Sequence, residues 1–165
     1  MAKLPVYEFE RIFDAPRALV WRTWTEAELL AKWYGPGVDT TIHKLDVTPG
    51  GSWHNEMAWG GKSSFERMDF KEVIPEVKLV WHHSMADAKF NIITNPMMEN
   101  WPRVLLTTVI FEDSGDQTKV TLQWVPHEAT IAELETFKAA MEGLNKGWGS
   151  GMDLLATLLE ELQNS

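Results

Sequence analysis

From Thr130 onward the chain has no proline, and Leu134, Phe137, Met141, Leu144, Trp148, Met152, Leu155, Leu159 and Leu162 recur at steps of three or four. That spacing predicts one helix with a single apolar stripe about eight turns long. Such a stripe is not stable in water by itself and needs an equally long apolar surface to cover it. Thr130-x-x-Glu133, shortly after Pro126, marks the start as a capping box. Gly143, Gly147, Gly149 and Gly151 interrupt the good helix formers, each at a cost of about 1 kcal/mol relative to Ala. Either the helix bends there around a curved surface, or a second backbone or a guest molecule comes close.

The covering surface lies upstream. Between Val38 and Val125 the pattern changes to short runs rich in Val, Ile, Thr, Phe and Trp, which read as strands over Val38 to Thr48, Ser52 to Trp59, Ser64 to Ile74, Lys78 to Met85, Val104 to Glu112 and Lys119 to Val125. Pro49-Gly50-Gly51, Gly60-Gly61-Lys62, Pro75-Glu76 and Asp113-Ser114-Gly115-Asp116 are tight joins, so the strands form a mostly antiparallel meander. Ala86 to Arg103 is the exception, a long connection with Pro96, Pro102 and the exposed-looking Phe90, Met97, Met98 and Trp101. Loops of this length often carry function.

Ahead of these strands, Val6 to Phe13 alternates as a first strand. A short helix after Pro16 carries Leu19, Val20 and Trp24, and Thr25-x-x-Glu28 offers a capping box for a second with Leu29, Leu30 and Trp33. Tyr34-Gly35-Pro36-Gly37 stops it. The expectation is an α+β chain forming one domain over residues 1–165.

Composition narrows the function. A net charge of −9 opposes binding to phosphate backbones or anionic membrane surfaces, so no nucleic-acid partner is expected. The absence of cysteine excludes disulfides, thiolate metal sites and a cysteine nucleophile. The first ten residues hold no apolar leader stretch and no run suits a membrane span, which reads as a cytoplasmic chain without membrane insertion. The five histidines lie in separate elements, apart from the adjacent His82 and His83, which point to opposite faces of one strand; no metal site and no cofactor is expected. His83 shares its phase with Leu79, Trp81 and Met85, so it is either a hydrogen-bonded core histidine or a base in a pocket. Glu56, Glu66, Asp69 and Glu72 read as solvated strand faces, with a general acid or base as the alternative.

Nine Trp and eight Met against two Tyr give large, soft apolar surfaces with few hydroxyl groups. Trp53, Met57 and Trp59 share one strand face, and Val120, Leu122 and Trp124 another. Facing a long helix, they either fill a core or line a pocket.

Three segments carry a family likeness. They are Arg11-Ile-Phe-Asp-Ala-Pro-Arg-Ala-Leu-Val-Trp with Trp24-Thr-Glu and Trp33-Tyr-Gly-Pro; Pro49-Gly-Gly-Ser-Trp; and Gly147-Trp148 followed by Met152-Asp-Leu-Leu. On these the chain resembles the activator of heat-shock-protein ATPase (Aha-type) branch of the START/birch-pollen-allergen (SRPBCC) superfamily. The resemblance implies a helix-grip fold: a seven-stranded curved antiparallel sheet gripping the C-terminal helix, two short helices between strands 1 and 2, and a cavity between them. It also implies a choice of activities, since members bind or carry lipids, sterols and polyketides, cyclise aromatic polyketides or sequester toxic natural products. The eukaryotic co-chaperones of the family carry an additional N-terminal domain beyond this one.

The leading expectation is a binder of a small hydrophobic or aromatic molecule, with walls from Trp33, Trp53, Met57, Trp81, His83, Met85, Trp124, Met141, Leu144, Trp148 and Met152 and the 86–103 loop as a gate. A cyclase- or aromatase-like enzyme using His83 or a strand carboxylate is one alternative. A protein-interaction module using Phe90, Met97, Met98 and Trp101 is the other.

Overall fold

In the computed structural model, which describes residues 4–164, the chain runs β1 (Tyr7–Phe13), α1 (Arg17–Thr25), α2 (Ala27–Trp33), β2 (Asp39–Leu45), β3 (Ser52–Trp59), β4 (Lys62–Ile74), β5 (Lys78–Ala86), β6 (Leu105–Ser114), β7 (Gln117–Pro126) and α3 (Ile131–Gln163). The ends of the domain expected over 1–165, residues 1–3 and 165, lie outside the described residues. The seven strands form one antiparallel sheet in the order β1-β7-β6-β5-β4-β3-β2. After β1 the chain crosses through α1 and α2 to the far edge and returns strand by strand, until β7 pairs with β1. Register shifts between Ile42 and Lys44 and between Phe70 and Glu72 interrupt two ladders, and such bulges increase local bend and twist. This is the helix-grip fold.

The two capping signals have different outcomes. Thr130 accepts a hydrogen bond from the Glu133 backbone N–H and the Glu133 carboxylate accepts one from the Thr130 N–H, a complete box at the start of α3. Thr25 does not cap α2. Its hydroxyl donates to the Trp21 carbonyl 2.8 Å away inside α1, and Glu26 is the N-cap without a side-chain bond. The single residue between the two helices holds Thr25 in α1's last turn.

One glycine of the Pro49-Gly50-Gly51 turn is fixed by close approach. A Cβ on Gly51 would lie 2.2 Å from the Asp46 carbonyl oxygen, while the Phe70 N–H donates to the Gly51 carbonyl and ties the turn to β4.

Aromatic rings fill most of the concave face. Trp24 and Trp33 of α1 and α2 meet at 4.7 Å between centroids, Tyr34 meets Trp53 at 4.8 Å, and Trp53 meets Trp81 at 5.7 Å. Phe137, Met152, Leu155 and Leu159 bring the stripe of α3 into the same cluster. Among the described residues no helix is long and apolar enough to cross a membrane.

Candidate functional site

The packing leaves a gap where α2 ends, beside the glycine-rich part of α3. Trp33, Tyr34, Gly35, Pro36, Met57, Glu66, Trp124, Gly143, Leu144, Gly147, Trp148 and Gly151 line a cleft of about 380 Å³, within the range of small-molecule sites. Each wall is anchored. Trp33 Nε1 donates to the Thr23 carbonyl at 2.8 Å, and the Thr40 hydroxyl donates to the Tyr34 carbonyl at 2.6 Å. Gly35 has φ +79°, and a Cβ there would meet Thr40, Val38 and the Met57 sulfur at 3.0 Å or less; its absence lets the turn close onto β3. The rings run in edge contact from Trp33 to Tyr34 (5.7 Å), Tyr34 to Trp148 (6.2 Å) and Trp148 to Trp124 (5.4 Å).

On α3 the opposite wall combines the Leu144 and Trp148 side chains with bare backbone at the glycines. A Cβ added at Gly143 or Gly147 meets nothing within 4 Å, and one at Gly151 makes only ordinary contact with Pro36 and Trp33. No backbone pressing on α3 at Gly143 or Gly147 excludes a side chain; both glycines are exposed and border the open mouth of the cleft.

The one carboxylate in the lining, Glu66, is not on a solvated face as its strand pattern suggested; it is only 7% exposed. In β4 it alternates in phase with Met68 and Phe70, both buried, and its cross-strand partners are Asn55 and Met85. Its Oε2 lies 2.6 Å from His83 Nε2, and Oε1 accepts a 3.4 Å bond from Asn55 Nδ2. His83 is also buried, and its Nδ1 accepts a 3.3 Å bond from Trp81 Nε1. An indole N–H can only donate, so Nδ1 is unprotonated and the ring proton sits on Nε2, donating to Glu66. Both Glu66 oxygens therefore accept, one from His83 and one from Asn55. Burial, and secondarily the charge of Glu66, push the Tyr34 hydroxyl well above the ordinary tyrosine range. Trp124 lines the cleft with its Nε1 buried and without a hydrogen-bond partner.

Of the residues expected to form the walls, the cleft brings together Trp33, Met57, Trp124, Leu144 and Trp148. Trp53, Trp81 and Met152 lie behind it, each 1% exposed in the core. His83 stands one layer back, reaching the cleft through Glu66. Met141 is partly buried against the core, and Met85 lines a neighbouring hollow with Gly37, Val38, Met57, Trp59, Ser64, Asn95 and Met97. The 86–103 loop borders that hollow and contributes no lining residue to the cleft. Of its apolar residues, Met97 and Met98 are exposed, but Phe90 stacks on His54 at 4.3 Å and Trp101 packs on Phe137 at 5.6 Å. Tyr34, Gly35, Pro36 and Glu66 escaped the list of wall residues. The Tyr34-Gly35-Pro36-Gly37 helix stop and the Ser64-Glu66-Met68-Phe70 alternation were the signals that carried them.

Fold and cleft together define a helix-grip domain with an aromatic cleft between sheet and C-terminal helix. The sequence agrees with this at the level of a family: residues 14–160 match the model described as activator of Hsp90 ATPase homolog 1-like protein, and the chain belongs to that family. No curated protein matches it significantly in sequence. Solved structures share the fold. Protein Ms6760 from Mycobacterium smegmatis is 20% identical with a TM-score of 0.77, covering 96% of both chains. A Staphylococcus epidermidis protein is 22% identical at 0.77, covering 98% of this chain and 93% of its own. One from Arthrobacter aurescens is 21% identical at 0.78, covering 94% and 86%.

Proposed function

We propose that the protein binds a small hydrophobic or aromatic molecule in the cleft between Trp33, Tyr34 and Trp124 on one side and Leu144, Trp148 and the glycines of α3 on the other. The observation that carries this reading is the pair Gly143 and Gly147. Each weakens the helix by about 1 kcal/mol relative to Ala, yet a side chain there would enter empty space. A guest lying against the helix backbone gives these two exposed glycines a role that packing does not supply. Burying about 300 Å² of apolar guest surface contributes about 7 kcal/mol before association costs, enough for micromolar binding when the shapes fit. His83 has both ring nitrogens engaged, so the binding reading needs no proton transfer from it.

The test is titration with the neutral dye N-phenyl-1-naphthylamine. Saturable one-to-one binding in the native chain is expected, lost in Gly147→Trp, whose indole is placed at the cleft, with the unfolding transition not lowered. Absence of saturable binding, or equal binding by Gly147→Trp, overturns the reading.

A further inference from the structure

The cleft's lining holds one carboxyl group, that of Glu66, and no basic side chain. Glu66 is buried, and both ring nitrogens of its histidine partner are already engaged. A carboxylate held by two hydrogen bonds in low dielectric is costly unless a positive group compensates it. The surrounding surface favours the same sign. Trp33, Tyr34, Trp124 and Trp148 line the cleft, and aromatic rings attract cations placed over their faces, more strongly as water is excluded. The net charge of −9 raises the local concentration of cations and lowers that of anions.

Resting on the proposed binding function, we infer that the guest is an apolar or aromatic amine whose protonated nitrogen meets the Glu66 carboxylate while its hydrocarbon body lies between the tryptophan rings and the glycine face of α3. A neutral guest would satisfy the walls but leave Glu66 unpaired, and an anionic guest would meet it with like charge. The ammonium supplies donors to a carboxylate whose protein partners are only His83 and Asn55, and the charge-assisted bond so formed is of the stronger kind.

Three matched probes separate this from the general reading: 1-naphthylmethylamine, 1-naphthylmethanol and 1-naphthoate, titrated calorimetrically at pH 7 into the native chain and Glu66→Gln. The amine is expected to bind at least tenfold more tightly than the alcohol and the carboxylate not measurably. Glu66→Gln still accepts from His83 and is expected to bring amine and alcohol to equal affinity. Equal affinities in the native chain, or preference for the alcohol or the carboxylate, overturn the amine inference and leave the cleft reading standing. No binding of any probe overturns both. The native ratio decides the matter even if Glu66→Gln does not fold, and an amine preference that survives in a folded Glu66→Gln also overturns it.

Discussion

His83 Nε2 and Glu66 Oε2 stand 2.6 Å apart with both residues buried, and the Trp81 indole N–H donates to the far side of the same imidazole. Removing the histidine therefore does more than delete a bond. His83→Leu leaves a buried carboxylate with only the 3.4 Å bond from Asn55, at a cost of about 3 kcal/mol. Replacing both residues, Glu66→Leu with His83→Leu, removes the unpaired charge and is expected to recover most of that loss. Urea unfolding of the two single variants and the double variant closes the cycle; a double variant that loses the sum of the singles contradicts it.

The glycines of α3 make an opposite prediction. Because a Cβ at Gly143 or Gly147 meets nothing within 4 Å, Gly143→Ala and Gly147→Ala are each expected to stabilise the fold by about 1 kcal/mol through helix propensity alone. Denaturant midpoints measure this. A loss of stability from either change would show that the native helix needs the glycine for itself, and the open face would lose its functional meaning.

The Thr-x-x-Glu signal occurs twice, and the structure distinguishes the copies. Thr130→Ala is expected to cost about 1 kcal/mol by breaking a reciprocal cap. Thr25→Ala removes only a hydroxyl bonded back to Trp21, a contact of little net worth, and is expected to cost less than about half as much. Thermal unfolding of the two variants side by side checks the difference.

That contrast shows how far the sequence was legible. The sheet and the closing helix were readable because alternation, turn glycines and the three-four spacing from Leu134 to Leu162 are local properties. Thr25 misled because capping depends on how many residues separate two helices, and here only Glu26 does. The division of inward side chains between core and cleft was not local either. Trp53, Trp81 and Met57 share the inner phase of their strands, but Trp24 packs on Trp81 and Tyr34 on Trp53, and Met57 is left at the opening. Glu66 was readable in principle from its phase with Met68 and Phe70, but a carboxylate in an apolar row looks solvated until its partners on neighbouring strands are known.

The chain's two tyrosines allow a test of burial without any variant. Burial pushes the Tyr7 hydroxyl, which donates to Asn145 at 2.9 Å, up to about 12. Tyr34 is raised well above its ordinary value by burial and then by Glu66. Both groups therefore hold their protons more tightly folded than unfolded. Their contribution to stability is complete below the unfolded tyrosine value near 10 and is lost as pH rises above it, for Tyr7 through about 12. Tyrosinate absorbance at 295 nm is expected to stay flat through pH 10 in the native protein and to rise only as the fold gives way, whereas in strong denaturant both groups titrate together near 10. A one-tyrosine step near pH 10 in the native protein would mean that one of the two hydroxyls meets bulk water, and a step traced to Tyr34 by Tyr7→Phe would remove the buried wall on which the cleft depends.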